Sequence, residues 1–242
     1  MGGPALSQTP QKPPVELEFE PLPPEEAIKF FKDKIIMPAK EFYALEAWAR
    51  SRAFTVSYVT KAEVLNDIHN ALDEAISNGT TLRDFRDSLK NIAEQRGWTG
   101  TSPWHEENVF RTNIQTSYAK GRWNQMYEVK DDFFGFYSSI DDIRRCDICA
   151  GIAEKTAGKV YPLDHPIWNT WAPLQHFQDR CTIVPIHRSQ IEAMGFVIGD
   201  EIPADLPMPI KGFDVNPALV SYTPDLSKLP EELRAMVEKD LK

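Results

Sequence analysis

The chain has 242 residues, 26% of them charged and 42% hydrophobic, enough apolar material for a folded core, which excludes wholesale disorder. Its net charge of −9 argues against a protein that coats nucleic acid by bulk charge, and no apolar run approaches the ~18–20 residues of a membrane span. Three cysteines, an odd count with no export signal expected at the start, make a disulfide framework a poor expectation and leave metal ligation or free thiols.

Residues 1–24 hold seven of the 19 prolines, and proline removes backbone donors and fixes φ, so an extended arm is expected there. Within it Val15, Leu17 and Phe19 alternate with Glu16, Glu18 and Glu20, the period of a strand, or of a solvated linker that alternates by chance. Residues 25–130 are expected to form a helical region of about five helices. Pro23-Pro24-Glu25-Glu26 starts the first, whose spacing continues to Ile35. A second runs from Pro38 with Phe42, Leu45, Trp48, Ala49 and Arg52 on one side. A third covers about 61–77 on a Val64, Leu65, Ile68, Leu72, Ile76 stripe and stops at Asn78-Gly79. Thr81, with Asp84 three residues on, caps the fourth, which ends at Gly97. The fifth spans about 104–128, carrying Phe110, Ile114, Tyr118 and Met126.

The character changes beyond Lys130, and the whole reads as an α+β chain. Residues 131–193 are expected to form a small β-containing module with strands at Phe133–Ile140, Lys159–Tyr161 and Cys181–Ile186. Residues 194–242 read as an irregular wrapping segment followed by a short helix from Pro230 to about Lys239.

All three cysteines fall in one constellation: Cys146-x-x-Cys149, His176 and Cys181. A C-x2-C turn aims two thiolates at one point, and with His176 and Cys181 it makes a candidate Cys3His zinc site, closed and therefore structural. His165 is a spare candidate ligand, although Asp164 and Pro166 beside it read as a turn. Inert buried cysteines, surface thiols and a redox C-x2-C pair stand beside the zinc reading; a redox pair prefers a helix N-terminus, and no helix is expected at Cys146. His105-Glu106 lacks the second histidine of a metalloprotease helix, and the glycines form no phosphate loop. With no open metal position or paired acid and base in view, no turnover and no small-molecule substrate are expected. Arg111, Lys120, Arg122, Arg144, Arg145, Lys155, Lys159, Arg180 and Arg188 form either an ordinary solvated face or a weak, sequence-independent phosphate surface. Arg111, beside Phe110, is expected to hold a carboxylate or carbonyls near the β segment.

Several of these stretches resemble one family. Arg111-Thr112-Asn113 with Tyr118 and Gly121-Arg122 resembles the helix motif of the phage Mu F-like minor head proteins. Arg145-Cys146-x-x-Cys149, Pro162-x-Asp164-His165-Pro166, Trp171-x-Pro173, His176 and Arg180-Cys181-Thr182 resemble its C-terminal half. Gly212-Phe213-Asp214-Val215-Asn216-Pro217 resembles the segment that often follows, and Ala53-Phe54 and the Gly79-Thr80 turn are similar too; the likeness covers about 25–218. It implies a non-enzymatic head morphogenesis protein in the virion head of a tailed double-stranded DNA phage or prophage, assembled in the host cytoplasm. Portal and other head proteins are the implied partners, acting in procapsid assembly or DNA delivery, with weak DNA contact and no membrane. Members often read His-x-x-Cys-Arg-Cys, and here Asp179 stands at the first of those cysteines; a carboxylate also ligates zinc. The alternatives are an enzyme remnant, a transferase or hydrolase using the Cys/His half, and a host zinc-ribbon adaptor.

Overall fold

A computed structural model describes residues 24–45 and 47–219, together with Glu231 and Arg234. The strand pattern at Val15–Phe19 lies outside the described residues, as does the terminal helix expected from Pro230, apart from Glu231 and Arg234, both helical.

The fold is mixed α+β. Its first part contains α1 (Glu25–Lys32), β1 (Ile35–Ile36), α2 (Ala39–Ala44), α3 (Ala47–Arg50), β2 (Ala53–Phe54), α4 (Ala62–Asn78), α5 (Leu82–Arg96) and the long α6 (Pro103–Glu128). The stripe of Val64, Leu65, Ile68, Leu72 and Ile76 turns inward from α4 and meets Phe85, Leu89 and Ile92 of α5, with Phe31 and Phe54 beside them. Gly79 and Gly97 end these two helices in the left-handed conformation, φ 67° and 62°, which a side chain disfavours. Thr81 and Asp84 form the reciprocal capping box.

The stretch expected to be one helix from Pro38 to Arg52 is instead broken. Leu45 is extended (φ −72°, ψ 149°), and the Arg50 guanidinium donates to the Leu45 and Tyr43 carbonyls at 2.9 and 2.8 Å, satisfying acceptors that a continuing helix would have used. Ile35, read as the end of the first helix, pairs in β1 with Ala53 of β2 in a two-stranded parallel sheet. Ile35 and Met37 donate their N–H groups to the Arg52 and Phe54 carbonyls, both at 3.0 Å.

The second part carries β3 (Phe133–Ser138), α7 (Asp147–Lys155), β4 (Lys159–Pro162), α8 (Ile167–Thr170), β5 (Thr182–His187) and β6 (Val197–Ile198). The sheet order is β5-β3-β4-β6, with β3 antiparallel to both neighbours and β4 parallel to β6. β3 is apolar on both faces because both are covered. Tyr137 and Ile183 join Trp168, Ile152, Trp123 and Met126 on one side, while Phe134, Val160 and Ile186 meet Ile191 and Phe196 on the other. The short β6 lies in a segment the sequence reads as irregular; it has only two residues, both exposed.

α6 joins the two parts. Its first half packs Val109, Phe110 and Ile114 on the helical core, and its last turns put Trp123 and Met126 into the core of the sheet module. Gly121 permits α1 to cross it closely: a Cβ there would sit 3.0 Å from the Ala27 backbone nitrogen.

Candidate metal centre

Three elements bring the Cys/His constellation together. Cys146 is the N-cap of α7, its sulfur accepting the Cys149 N–H at 3.4 Å, so the C-x2-C turn is the first turn of a helix that the sequence did not announce. The loop from Gln175 to Cys181 delivers His176 and Asp179. β3 supplies Tyr137 from beneath.

His176 Nε2 lies 3.0 Å from Cys146 Sγ and 3.1 Å from Cys149 Sγ. Its Nδ1 faces the Phe177 carbonyl at 2.7 Å. A carbonyl only accepts, so Nδ1 carries the proton and donates, leaving the Nε2 lone pair aimed at the two sulfurs. That tautomer, fixed by a backbone carbonyl, is the one a metal-bound imidazole uses.

Cys181 belongs to a second, overlapping triplet. Cys146, Cys149 and His176 have ligand atoms within 4.8 Å of one another, and so do Cys149, Asp179 and Cys181, with Cys149 common to both. Either triplet can hold a metal ion. Asp179 is buried, and both of its oxygens already serve the backbone: Oδ2 accepts the Gln175 N–H at 2.6 Å and Oδ1 the Cys181 N–H at 2.7 Å. Oδ1 is also 3.5 Å from Cys149 Sγ, within reach of a thiol proton. The carboxylate therefore builds the loop and faces the sulfurs at once. His165 joins neither triplet among the described residues; its Nδ1 accepts the Ile167 N–H at 3.2 Å at the start of α8.

The crowding of acids has a charge consequence. The Cys149 thiol is pushed well above the usual cysteine range, first by its contact with Cys181, then by burial and by the Asp179 charge. A catalytic thiol needs the opposite shift, so Cys149 is not poised as a reactive thiolate. Tyr137, which sequence reasoning missed, is driven upward by burial and by the neighbouring Cys181, Asp179 and Cys149. It remains a neutral phenol under the sulfurs, and its only trace in the sequence is its place in the aromatic run of β3. Thiols and a carboxylate packed this closely offer a cation a set of ligands.

The surrounding loops are clamped. Arg180 donates to both oxygens of Asp142 at 2.8 and 2.6 Å, tying the strand of chain before Cys146 to the loop that carries His176. That guanidinium and the Arg144 backbone N–H hold the Asp142 carboxyl well below the usual carboxylate range. Farther along, Ile210 donates its N–H to the Gln175 carbonyl at 2.9 Å and Trp171 Nε1 to Pro207 at 2.9 Å, wrapping the later segment over the module.

The basic residues singled out from the sequence are largely committed within the fold. Lys120, Lys155 and Arg188 donate to the carbonyls of Ala218, Ala204 and Asp131. Arg144 and Arg145 pair with Asp142 and Asp141. Arg111 does hold a carboxylate, but it is Glu107 one turn earlier on α6 at 2.7 Å, on the exposed face and away from the sheet. It was misplaced because the stripe of α6 rotates its position outward.

The model of the family described as "Phage Mu protein F like protein" matches residues 66–184. The "Mu-like prophage FluMu F protein" of Haemophilus influenzae is 32% identical over 164 residues, covering 62% of this chain and 38% of that protein. The "Putative capsid assembly protein F" of Escherichia phage Mu is 26% identical over 194 residues, 73% of this chain and 43% of that protein. The chain thus spans about two fifths of the length of these curated relatives. No solved structure matches it.

Proposed function

We propose, from the premise that this chain belongs to the phage Mu F-like family, that it is a non-enzymatic assembly protein of a phage head, working in contact with the portal and other head proteins. The observation that carries the reading is where the match falls. Residues 66–184 begin inside α4, take in all of α5 and α6, and end in β5, so they contain the whole Cys/His cluster and the helix that ties it to the helical core. The matched stretch of this chain is therefore a long helix with the Cys/His module at its end, a scaffold rather than a catalytic cleft.

In this reading the staple is a structural zinc held by Cys146, Cys149, His176 and Cys181, with Asp179 as the substitute for a missing ligand. A tetrahedral ion with bonds of about 2.0 Å to nitrogen and 2.3 Å to sulfur keeps those atoms roughly 3.5 Å apart. The His176–Cys146 and His176–Cys149 separations of 3.0 and 3.1 Å need a small spreading to admit it. The ion would neutralise the crowded acids and join α7 to a loop about 30 residues away, offsetting chain entropy that short strands alone do not recover.

Co-expression with the cognate portal protein tests the assembly role. A complex that survives size exclusion at moderate salt is expected. A folded chain that associates with neither portal nor any other head protein would refute it. For the staple, elemental analysis of protein purified without chelator is expected to give about one zinc per chain; metal-free protein with three freely titrating thiols would remove zinc from the account.

A further inference from the structure

A cavity of about 380 Å³ opens beside the first half of α6, walled by the β1–β2 segment, Leu174 and Phe177 of the loop around His176, and the 211–217 segment. Its volume falls in the range of small-molecule sites. Its walls hold three cations, Lys34, Arg50 and Lys211, and no Asp or Glu, in a chain that has 36 acidic residues against 27 basic ones. An acid-free, cation-bearing concavity in an acidic protein is an electrostatic feature that the fold had to assemble from distant segments.

Lys34 is the centre of it. Its Nζ donates to Asn113 Oδ1 at 3.1 Å and lies 5.4 and 5.5 Å from the Phe30 and Phe31 ring centres, and among the described residues it has no carboxylate partner. Burial, with the nearby Arg52 charge added, pushes its ammonium down to about 7. Three further polar atoms of the wall, Thr55 Oγ1, His105 Nε2 and Thr112 Oγ1, are buried with no hydrogen-bond partner among the described residues. A desolvated ammonium among buried, unpartnered polar atoms is costly unless something brings an acceptor to it. Phe42, Phe54, Phe177 and Phe213 form the apolar part of the wall, with the exposed Trp104 beside them.

Three of the stretches that carry the family resemblance, Ala53-Phe54, Thr112-Asn113 and Gly212-Phe213, meet at this cavity although they are far apart in the chain. Phe213 packs edge-on against Phe177, ring centres 4.9 Å apart, next to His176 of the Cys/His cluster. The convergence of the three stretches gives the helix motif of α6 a place in the molecule that the metal centre does not.

We propose that this cavity is a binding site for a small aromatic oxyanion, a phosphate or carboxylate joined to a flat ring, with the oxyanion on Lys34 and the ring against the phenylalanine wall. The oxyanion supplies the counter-charge that Lys34 lacks and acceptors for its remaining protons. Arg50 and Lys211 add attraction at the mouth, and the ring gains stacking contacts on the phenylalanine side chains.

Isothermal titration of the full chain with two probes separates the two sources of such an anion: adenosine 5′-monophosphate for the phosphate, 1-naphthoate for the carboxylate. Adenosine and naphthalene-methanol serve as their uncharged counterparts. At least one anion is expected to bind with submillimolar affinity and at least tenfold tighter than its uncharged counterpart. Which of them binds identifies the oxyanion. Lys34→Met keeps an apolar stem over Phe30 and Phe31 and removes the desolvated charge, so its melting temperature is expected to stay level or rise while affinity falls at least tenfold. Lys211→Met, a second probe that leaves Lys34 in place, is expected to weaken binding several-fold. Failure of both anions to bind the folded chain overturns the proposal, as does binding that neither substitution weakens.

Discussion

The helical core and the Cys/His module are built on different principles, although α6 runs through both. The helical core is a long-period apolar stripe buried against another: Val64, Leu65 and Leu72 are fully inaccessible, and the ion pairs around it, such as Arg96 with Asp67 and Glu63, lie on the surface. Such a core is stable by area alone, at about 1.5–3 kcal/mol per large side chain buried. The module has short strands, two helices of nine and four residues, and a centre of rings rather than aliphatic stripes. Its parts are joined by side chain to backbone bonds, Asp179 to the Gln175 and Cys181 amides and Trp168 to Pro162, and by the thiol–imidazole cluster. A region of that kind depends on cross-links where the other depends on burial.

The largest expected effect follows from that contrast. Chelation, or Cys149→Ser, should cost the module about 5 kcal/mol or more if a structural ion is removed. The helical core should keep its fold. Heating should then give two transitions: an early one in the fluorescence of Trp123, Trp168 and Trp171, a later one in the far-ultraviolet helix signal. One coincident transition, indifferent to chelator, would show the two regions to be a single cooperative unit with no metal dependence.

The converse substitution is Leu72→Ala, which empties a site at the heart of the helical stripe. A loss of about 2–5 kcal/mol is expected in denaturant unfolding, with metal content unchanged. A fall in metal content would mean that α6 transmits the damage.

Smaller again is Gly135→Ala in β3. The added Cβ would lie 2.6 Å from Trp168 Cζ2, so the ring must shift within a packed cluster, and roughly 1–3 kcal/mol should be lost. A fluorescence change confined to the module would place the damage there.

The same contrast decides how much the sequence disclosed. Helices held by periodic stripes and closed by Gly79 and Gly97 are legible because each signal lies within a few residues of the structure it specifies. The break at Leu45 was hidden, since Arg50 reaches back to carbonyls that periodicity does not register. The cysteines and His176 announce themselves by type and spacing, whereas Tyr137 reaches them only through the β3–β5 register, and the helix capped by Cys146 is too short to show a stripe. The Lys34 cavity was illegible altogether. Its walls come from segments about 180 residues apart, and Lys34, which follows the helical spacing of Phe30 and Phe31 in the sequence, gives no sign of a cavity until Asn113 and the 211–217 segment are seen around it.

The smallest expected effect corrects a sequence expectation directly. Arg111, read as a buried strut to the sheet, should then have been costly to remove. In the structure its side chain is 44% exposed and its partner Glu107, 31% exposed, sits one turn earlier on the same helix. Solvent screens a pair in that position, and i,i+4 pairs of this kind contribute about 0.3–0.5 kcal/mol. Arg111→Ala should therefore lower stability by no more than about 0.5 kcal/mol, and part of that small loss should return because alanine is the better helix former. High salt should erase what remains, since it screens the pair in the unsubstituted protein as well. A loss of 2 kcal/mol or more by urea titration, persisting in molar salt, would mean that the guanidinium reaches beyond Glu107 into the contact between α6 and the rest of the molecule, a magnitude that surface pairs do not supply.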